Sequence, residues 1–193
     1  MKKGKLIILS APSGAGKTSA CKLLMKRNPN WSFSVSATTR DLRESEVEGV
    51  DYVKFSNIKF EKYIKEKKFI EWEEVHGNKY GTIRDVIIEK LDSNEIVLLD
   101  LDVKGGLNIF NKFSNDSMTI FIEPPGNDIN EKISILWDRL KLRNCESDKI
   151  ITKRLERFKE EMKYKKLYQH IFINKDLMKM VEKIEDLIKE KTK

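Results

Sequence analysis

A chain of 193 residues, 39% apolar and 36% charged, is long enough to bury one sizeable core, alone or with an inserted lobe, and too short for several. Its net charge of +7 suits a nucleic acid, a membrane surface or a phosphorylated small molecule without choosing among them. Cys21 and Cys145 lie far apart with no Cys/His cluster, which excludes a disulfide framework and a zinc site, and the N-terminal apolar run is too short for a signal peptide or a membrane span.

Apolar runs at Leu6 to Leu9, Ile96 to Leu99, Met118 to Ile122 and Ile171 to Ile173 read as buried strands. Helical patterns follow most of them, at Lys17 to Arg27, Val103 to Phe110, Ile129 to Leu142 and Asp176 to Glu190. This alternation predicts an α/β fold with a parallel-sheet core. Between about Phe33 and Ile88 the pattern changes. Half-exposed strands are expected at Phe33 to Ser36, Tyr52 to Phe55 and Phe69 to Trp72, with a helix around Phe60 to Lys67. That stretch reads as a small α+β lobe, residues 33–88, inserted into a core made of 1–32, 89–138 and 155–193. The polar stretch Arg139 to Arg154 suits a lid. The chain is expected to be soluble and cytoplasmic.

The most specific local signal lies between the first strand and the first helix. Residues Ala11 to Thr18 match GxxxxGK followed by Ser or Thr at every defined position except the first, where Ala replaces Gly. Glycines let the chain turn so that the amides of Ser13, Gly14, Ala15 and Gly16 point into one concavity, and the helix N-terminus adds the positive end of its dipole. Such a concavity holds phosphates. Lys17 would then reach the β- and γ-phosphates as a point charge, and Thr18 would offer a hydroxyl to Mg²⁺. Asp100, at the end of the apolar strand Ile96 to Leu99, is the expected second metal-side residue.

The basic residues divide into 30 Lys and 8 Arg, so the arginines mark places where a planar, bidentate donor is needed. Arg40 and Arg43 share one loop with Tyr52 shortly after, and Arg139, Arg143 and Arg154 fall in the expected lid. One group would grip a phosphate and the other would close over a transferring one. His76 and His170 lack a paired acid or nucleophile in motif context and read as structural or surface residues.

With these residues in place the chain resembles the guanylate kinases. The stretches SAPSGAGKT, FSVSATTRDLRESEVEGVDY, FIEWEEVHGNKYGT, LLDLDVKGG, FIEPP and RLKLRNCESDKIITKRL carry the resemblance, in the family's order and over nearly the whole chain. It implies a P-loop phosphotransferase that uses ATP and Mg²⁺ to convert GMP into GDP, as a three-part molecule of core, GMP-binding lobe and helical lid. It further implies that Arg40, Arg43, Tyr52 and Tyr80 clamp the GMP phosphate and that Ser36, Glu71, Thr82, Asp100 and Asp102 surround guanine and its ribose side. Arg143 and Arg154, with Arg139, would bind ATP phosphates and the charge of transfer. Guanine shows donors at N1 and its 2-amino group, so carboxylates facing that edge make chemical sense. Adenine would leave Glu71 unpaired.

A second class, a guanylate-kinase-like module that grips phosphorylated peptides, typically has a degraded P-loop, and here Gly16-Lys17-Thr18 is intact. A kinase for another nucleotide is opposed by Glu71 and Thr82. Nucleic-acid binding has only bulk charge behind it, no membrane association is expected, and a monomer is favoured.

Overall fold

The structure, a computed structural model, describes residues 4–192 apart from 45, 76 and 143–147, with the side chains of 150, 153 and 154 also outside the description. Strand β1 (Lys5–Ser10) is almost wholly apolar and takes the middle of a five-stranded sheet, where both its faces are covered. Its neighbours are β7 (Ile96–Leu101) and β8 (Ser117–Glu123), with β2 (Ser32–Phe33) and β9 (His170–Ile173) at the edges. All four pairings are parallel.

Strand alternation sorts the core into two layers of contact. Ile7 and Leu9 face α1 (Lys17–Arg27), α5 (Ile129–Lys141) and α8 (Leu177–Lys191), through Leu24, Leu136 and Ile184 among others. Leu6 and Ile8 face the opposite way, onto Ile87 and Leu91 of α3 (Arg84–Asp92) and Ile109 of α4 (Val103–Lys112). Helices thus cover both faces of the sheet, the three-layer arrangement expected of buried parallel strands. Each of these fully buried Leu or Ile side chains contributes about 1.5–3 kcal/mol relative to exposure.

A second sheet, in the order β4-β3-β6-β5, comprises β3 (Ser36–Thr38), β4 (Tyr52–Lys54), β5 (Phe69–Val75) and β6 (Asn78–Ile83). With α2 (Asn57–Lys65) it encloses its own small core of Ala37, Phe55, Phe60 and Phe69. Ser56 starts α2 by accepting a hydrogen bond from Lys59 N, so the helix begins three residues before the expected Phe60.

The strand expected at 33–36 is split between the two sheets. Ser32 and Phe33 pair with Val97 and Leu98, and Ser34 N donates to Leu98 O at 2.9 Å. Phe33 packs against the main core, and the chain joins the second sheet only at Ser36. A period of two shows that a segment is extended but not which sheet it will join. The polar stretch after α5 also carries more structure than a loop, since α6 (Asp148–Glu156) and α7 (Phe158–Lys163) follow one another with only Arg157 between them.

Candidate active site

Between β1 and α1 the backbone turns through Gly14 and Gly16, at φ 84° and 100°, the left-handed region that side chains disfavour. A side-chain carbon at position 16 would also collide with Asn174 Nδ2. Asn174, just after β9, is buried and donates to Ala15 O at 2.7 Å, while its own amide donates to Glu123 O at 2.8 Å. The loop is therefore braced from the far end of the chain. Gly16 caps α1 without a side chain, leaving the first turn's amides as a cradle for an anion.

Lys17 and Thr18 both turn toward Asp100. The parallel register sets Leu9 beside Asp100, which brings the end of β7 against the start of the glycine loop. Lys17 Nζ lies 2.8 Å from Asp100 Oδ1 and donates to Leu101 O at 2.5 Å. Thr18 Oγ1 donates to Asp100 Oδ2 at 2.9 Å. Burial alone would lower the Lys17 pKa, but the Asp100 carboxylate outweighs it and holds the lysine above its ordinary value. The chemistry of this pair, a hydroxyl beside a carboxylate, fits Mg²⁺, which takes one or two protein oxygens and fills its shell with water and phosphate.

On the second sheet a polar clamp assembles around Arg40. Its Nε donates to Tyr80 OH at 3.2 Å, its guanidinium lies 5.4 Å from the centre of the Tyr52 ring, and the two tyrosine rings meet edge-on at 6.0 Å. Burial and then the Asp100 charge push the Tyr52 hydroxyl up to about 12. Glu46 bridges the two loop arginines. Its oxygens accept from Arg40 Nη2 at 2.8 and 3.0 Å, and Arg43 approaches with its amide at 2.8 Å and its guanidinium at 3.5 Å. Sequence reasoning passed over Glu46, although an acid three residues after Arg43 was there to be read.

The third cluster sits where β5 meets α4. Thr82 Oγ1 donates to Glu71 Oε1 at 2.7 Å, across the antiparallel register that pairs these residues. Burial pushes the Glu71 carboxyl up to about 7, against the opposing pull of the Thr82 hydrogen bond. Asp102 caps α4 by accepting from Gly105 N at 2.8 Å. A side-chain carbon at Gly105 would lie 2.8 Å from both Asp102 Oδ1 and Glu71 Oε2, so only glycine there lets the two carboxylates come together over the start of α4. Ser36 is buried on β3 opposite Tyr52.

The arginines assigned to the lid divide differently. Arg139 lies on α5 and donates to Asn174 O at 2.9 Å, so it supports the glycine loop's brace. Arg143 lies outside the described residues, and Arg154 is on α6 with its side chain outside the description. His76 and Cys145 also lie outside the described residues. Burial and Lys191 lower the pKa of His170, which sits on the edge strand β9. Cys21 is buried in α1.

A parallel α/β sheet whose first strand feeds a glycine-turned loop, with a lysine, a hydroxyl and a strand-end carboxylate converging beyond it, defines the P-loop nucleotide-binding class. Residues 3–191 match the family described as guanylate kinase. The chain is 43% identical to the guanylate kinase of Chlorobium chlorochromatii, over 96% of this chain and 94% of that one. It is 39% identical to that of Carboxydothermus hydrogenoformans, over 97% and 89%. A crystal structure of guanylate kinase from Anaplasma phagocytophilum superposes with a TM-score of 0.81 at 26% identity, over 99% of this chain and 87% of that one. The chain belongs to the guanylate kinase family.

Proposed function

We propose that the protein transfers the γ-phosphoryl group of ATP to GMP, giving ADP and GDP, and that the three clusters divide the work. The observation that carries this reading is the position of Tyr52. It belongs with Arg40 and Tyr80 in the phosphate clamp, yet it lies close enough to Lys17 and Asp100 for each to influence its ionisation. An acceptor phosphate held by the clamp would therefore face the donor phosphates held by the glycine loop.

In this division Ser13, Gly14, Ala15, Gly16, Lys17 and Thr18 hold ATP, with Thr18 and Asp100 on the metal side. Mg²⁺ bound there would neutralise charge on the donor phosphates. Arg40, Arg43, Tyr52 and Tyr80 hold the GMP phosphate, while Glu71, Thr82, Ser36 and Asp102 address guanine and its ribose side. The acceptor oxygen needs no general base, because a phosphate monoester with a second pKa of about 6 is largely dianionic near neutrality. What remains is alignment and charge stabilisation. Lys17 and the loop amides meet the charge that develops in transfer, and Arg143 and Arg154 complete the cage from the segment 139–154, which acts as a lid. Residues 33–88 act as the GMP-binding lobe, and closure of lobe and lid excludes water, the competing acceptor.

Among the described residues no helix is long and apolar enough to cross a membrane. We place the protein in the cytoplasm as a monomer acting on small nucleotides, with no nucleic-acid partner. Phosphorus NMR of protein, ATP, GMP and Mg²⁺ tests the reaction: ADP and GDP should appear one for one, and ADP formation without GMP should be negligible. ADP released at the same rate with and without GMP would reduce the protein to an ATPase and overturn the reading.

A further inference from the structure

Arg27, Arg84 and Arg157 belong to neither of the arginine groups that the sequence singles out, and the last of them lies nearest the site. Arg157 stands at the junction of α6 and α7, half-buried, with Nη2 3.9 Å from Glu73 Oε1 and Nε 4.0 Å from Glu161 Oε1. One of these carboxylates belongs to the second sheet and the other stands beside the glycine loop. Glu73 lies on β5 two residues beyond Glu71, so strand alternation sets it on the same face, beside Asp102. Glu161, on α7, lies beside the backbone of Ser13 in the glycine loop, close enough for that amide to oppose the rise that burial gives its pKa.

The two acids differ in what else they meet. Glu73 pairs with the neighbouring carboxyl of Asp102, whereas Glu161 Oε2 is buried without a hydrogen-bond partner among the described residues. A buried acceptor without a donor carries its full desolvation cost. The guanidinium stands just beyond hydrogen-bonding distance of both acids, and its planar fork of five donors can serve two acids at once, which an ammonium on a flexible stem does less well.

Taking the phosphotransferase reading above as its basis, we propose that Arg157 is a positioning residue that couples the two substrate sites. Closure of the second sheet on GMP brings Glu73 onto Arg157, and Arg157 in turn fixes Glu161 and, through it, the Ser13 end of the glycine loop. Glu73 Oε1 can accept from Arg157 whether or not the carboxyl is ionised. That matters because burial and the neighbouring Asp102 push Glu73 up to about 8. A static ion pair at this exposure stabilises the fold little. Its effect lies in forming across the cleft, and linkage then requires each nucleotide to tighten the other by the same factor.

The test is calorimetric. GMP affinity is measured alone and with saturating Mg²⁺ and adenylyl imidodiphosphate, a non-hydrolysable ATP analogue, and the ratio is the coupling factor. Wild-type protein should show a factor of about five or more. Arg157→Ala should reduce it below about twofold while leaving the affinity for each nucleotide alone within about threefold of wild type. Glu73→Ala should do the same from the other side of the cleft, and serves if the arginine variant folds poorly. Glu73→Gln keeps the accepting oxygen and should keep the coupling. The proposal is overturned if Arg157→Ala retains wild-type coupling, if the alanine variants weaken each nucleotide alone as much as the pair, or if Glu73→Gln loses coupling. Failure of wild-type protein to bind either nucleotide alone would instead strike at the phosphotransferase reading itself.

Discussion

Asp100 lies 2.8 Å from Lys17 Nζ through one carboxylate oxygen, and its other oxygen accepts the Thr18 hydroxyl at 2.9 Å. One strand-end acid thus orients both side chains to which the proposed function assigns phosphate and metal. Lys17→Ala removes the charge aimed at the transferring phosphoryl group and should raise the barrier by about 3 kcal/mol or more, while GMP binding is largely kept. Turnover near wild type, measured by coupled ADP release, would remove Lys17 from the mechanism.

The acceptor side should fail differently. Arg40 reaches Tyr80, stacks on Tyr52 and is buried enough for its hydrogen bonds to count. Losing charge-assisted bonds to the GMP phosphate should cost about 1.5–3 kcal/mol, roughly a 10- to 100-fold rise in KM for GMP, with a smaller change in kcat. Steady-state kinetics that gave Arg40→Ala and Lys17→Ala the same signature would deny the division into donor and acceptor clusters.

Glu71 should make guanine binding depend on pH. Burial raises its folded pKa from 4.5 to about 7, so its contribution to stability is fully present below about 4.5 and is lost as pH rises through 7. The guanine donors need the ionised form, so affinity runs the other way. Guanosine, which has no phosphate to titrate, should bind about tenfold more tightly at pH 8 than at pH 6. A flat calorimetric profile for the wild type, or an unchanged slope in Glu71→Gln, would contradict this assignment.

Asn174 is predicted to act on the glycine loop without touching the acceptor. Asn174→Ala leaves Ala15 O without its 2.7 Å donor and should cost about 1–3 kcal/mol in a denaturant titration. KM for ATP should rise more than KM for GMP. Unchanged stability and an unchanged KM for ATP would show that the loop holds its shape alone.

The glycine loop was legible in the sequence because the motif and its strand-to-helix context are local. Helix α1 falls at Lys17–Arg27, where the pattern set it, and the parallel core follows from apolar runs that alternate with helices. The grouping of Glu71 with Thr82 and Asp102 came only through the family resemblance, since no local pattern ties these residues together. What stayed hidden depends on distance along the chain. Asn174 braces a loop 159 residues away, and Arg157 meets Glu73 across the cleft. The split of the strand at 33–36 was hidden for a related reason, because an extended segment does not announce its partner. Glu46 was local, but its role appears only once Arg40 and Arg43 are seen to converge on it.

The central claim is that the Glu71 cluster selects guanine for a phosphoryl group delivered from the P-loop. The most direct measurement is kcat/KM of the wild-type protein with ATP and Mg²⁺ across GMP, IMP and AMP, repeated with Glu71→Gln. IMP keeps O6 and N1–H but lacks the 2-amino group, so it should fall well below GMP and still exceed AMP. Glu71→Gln, which sets a donor against a donor, should lose about 2–4 kcal/mol of the preference for GMP over AMP. Wild-type protein that phosphorylates AMP as readily as GMP would contradict the account, leaving a P-loop phosphotransferase whose acceptor Glu71 does not read.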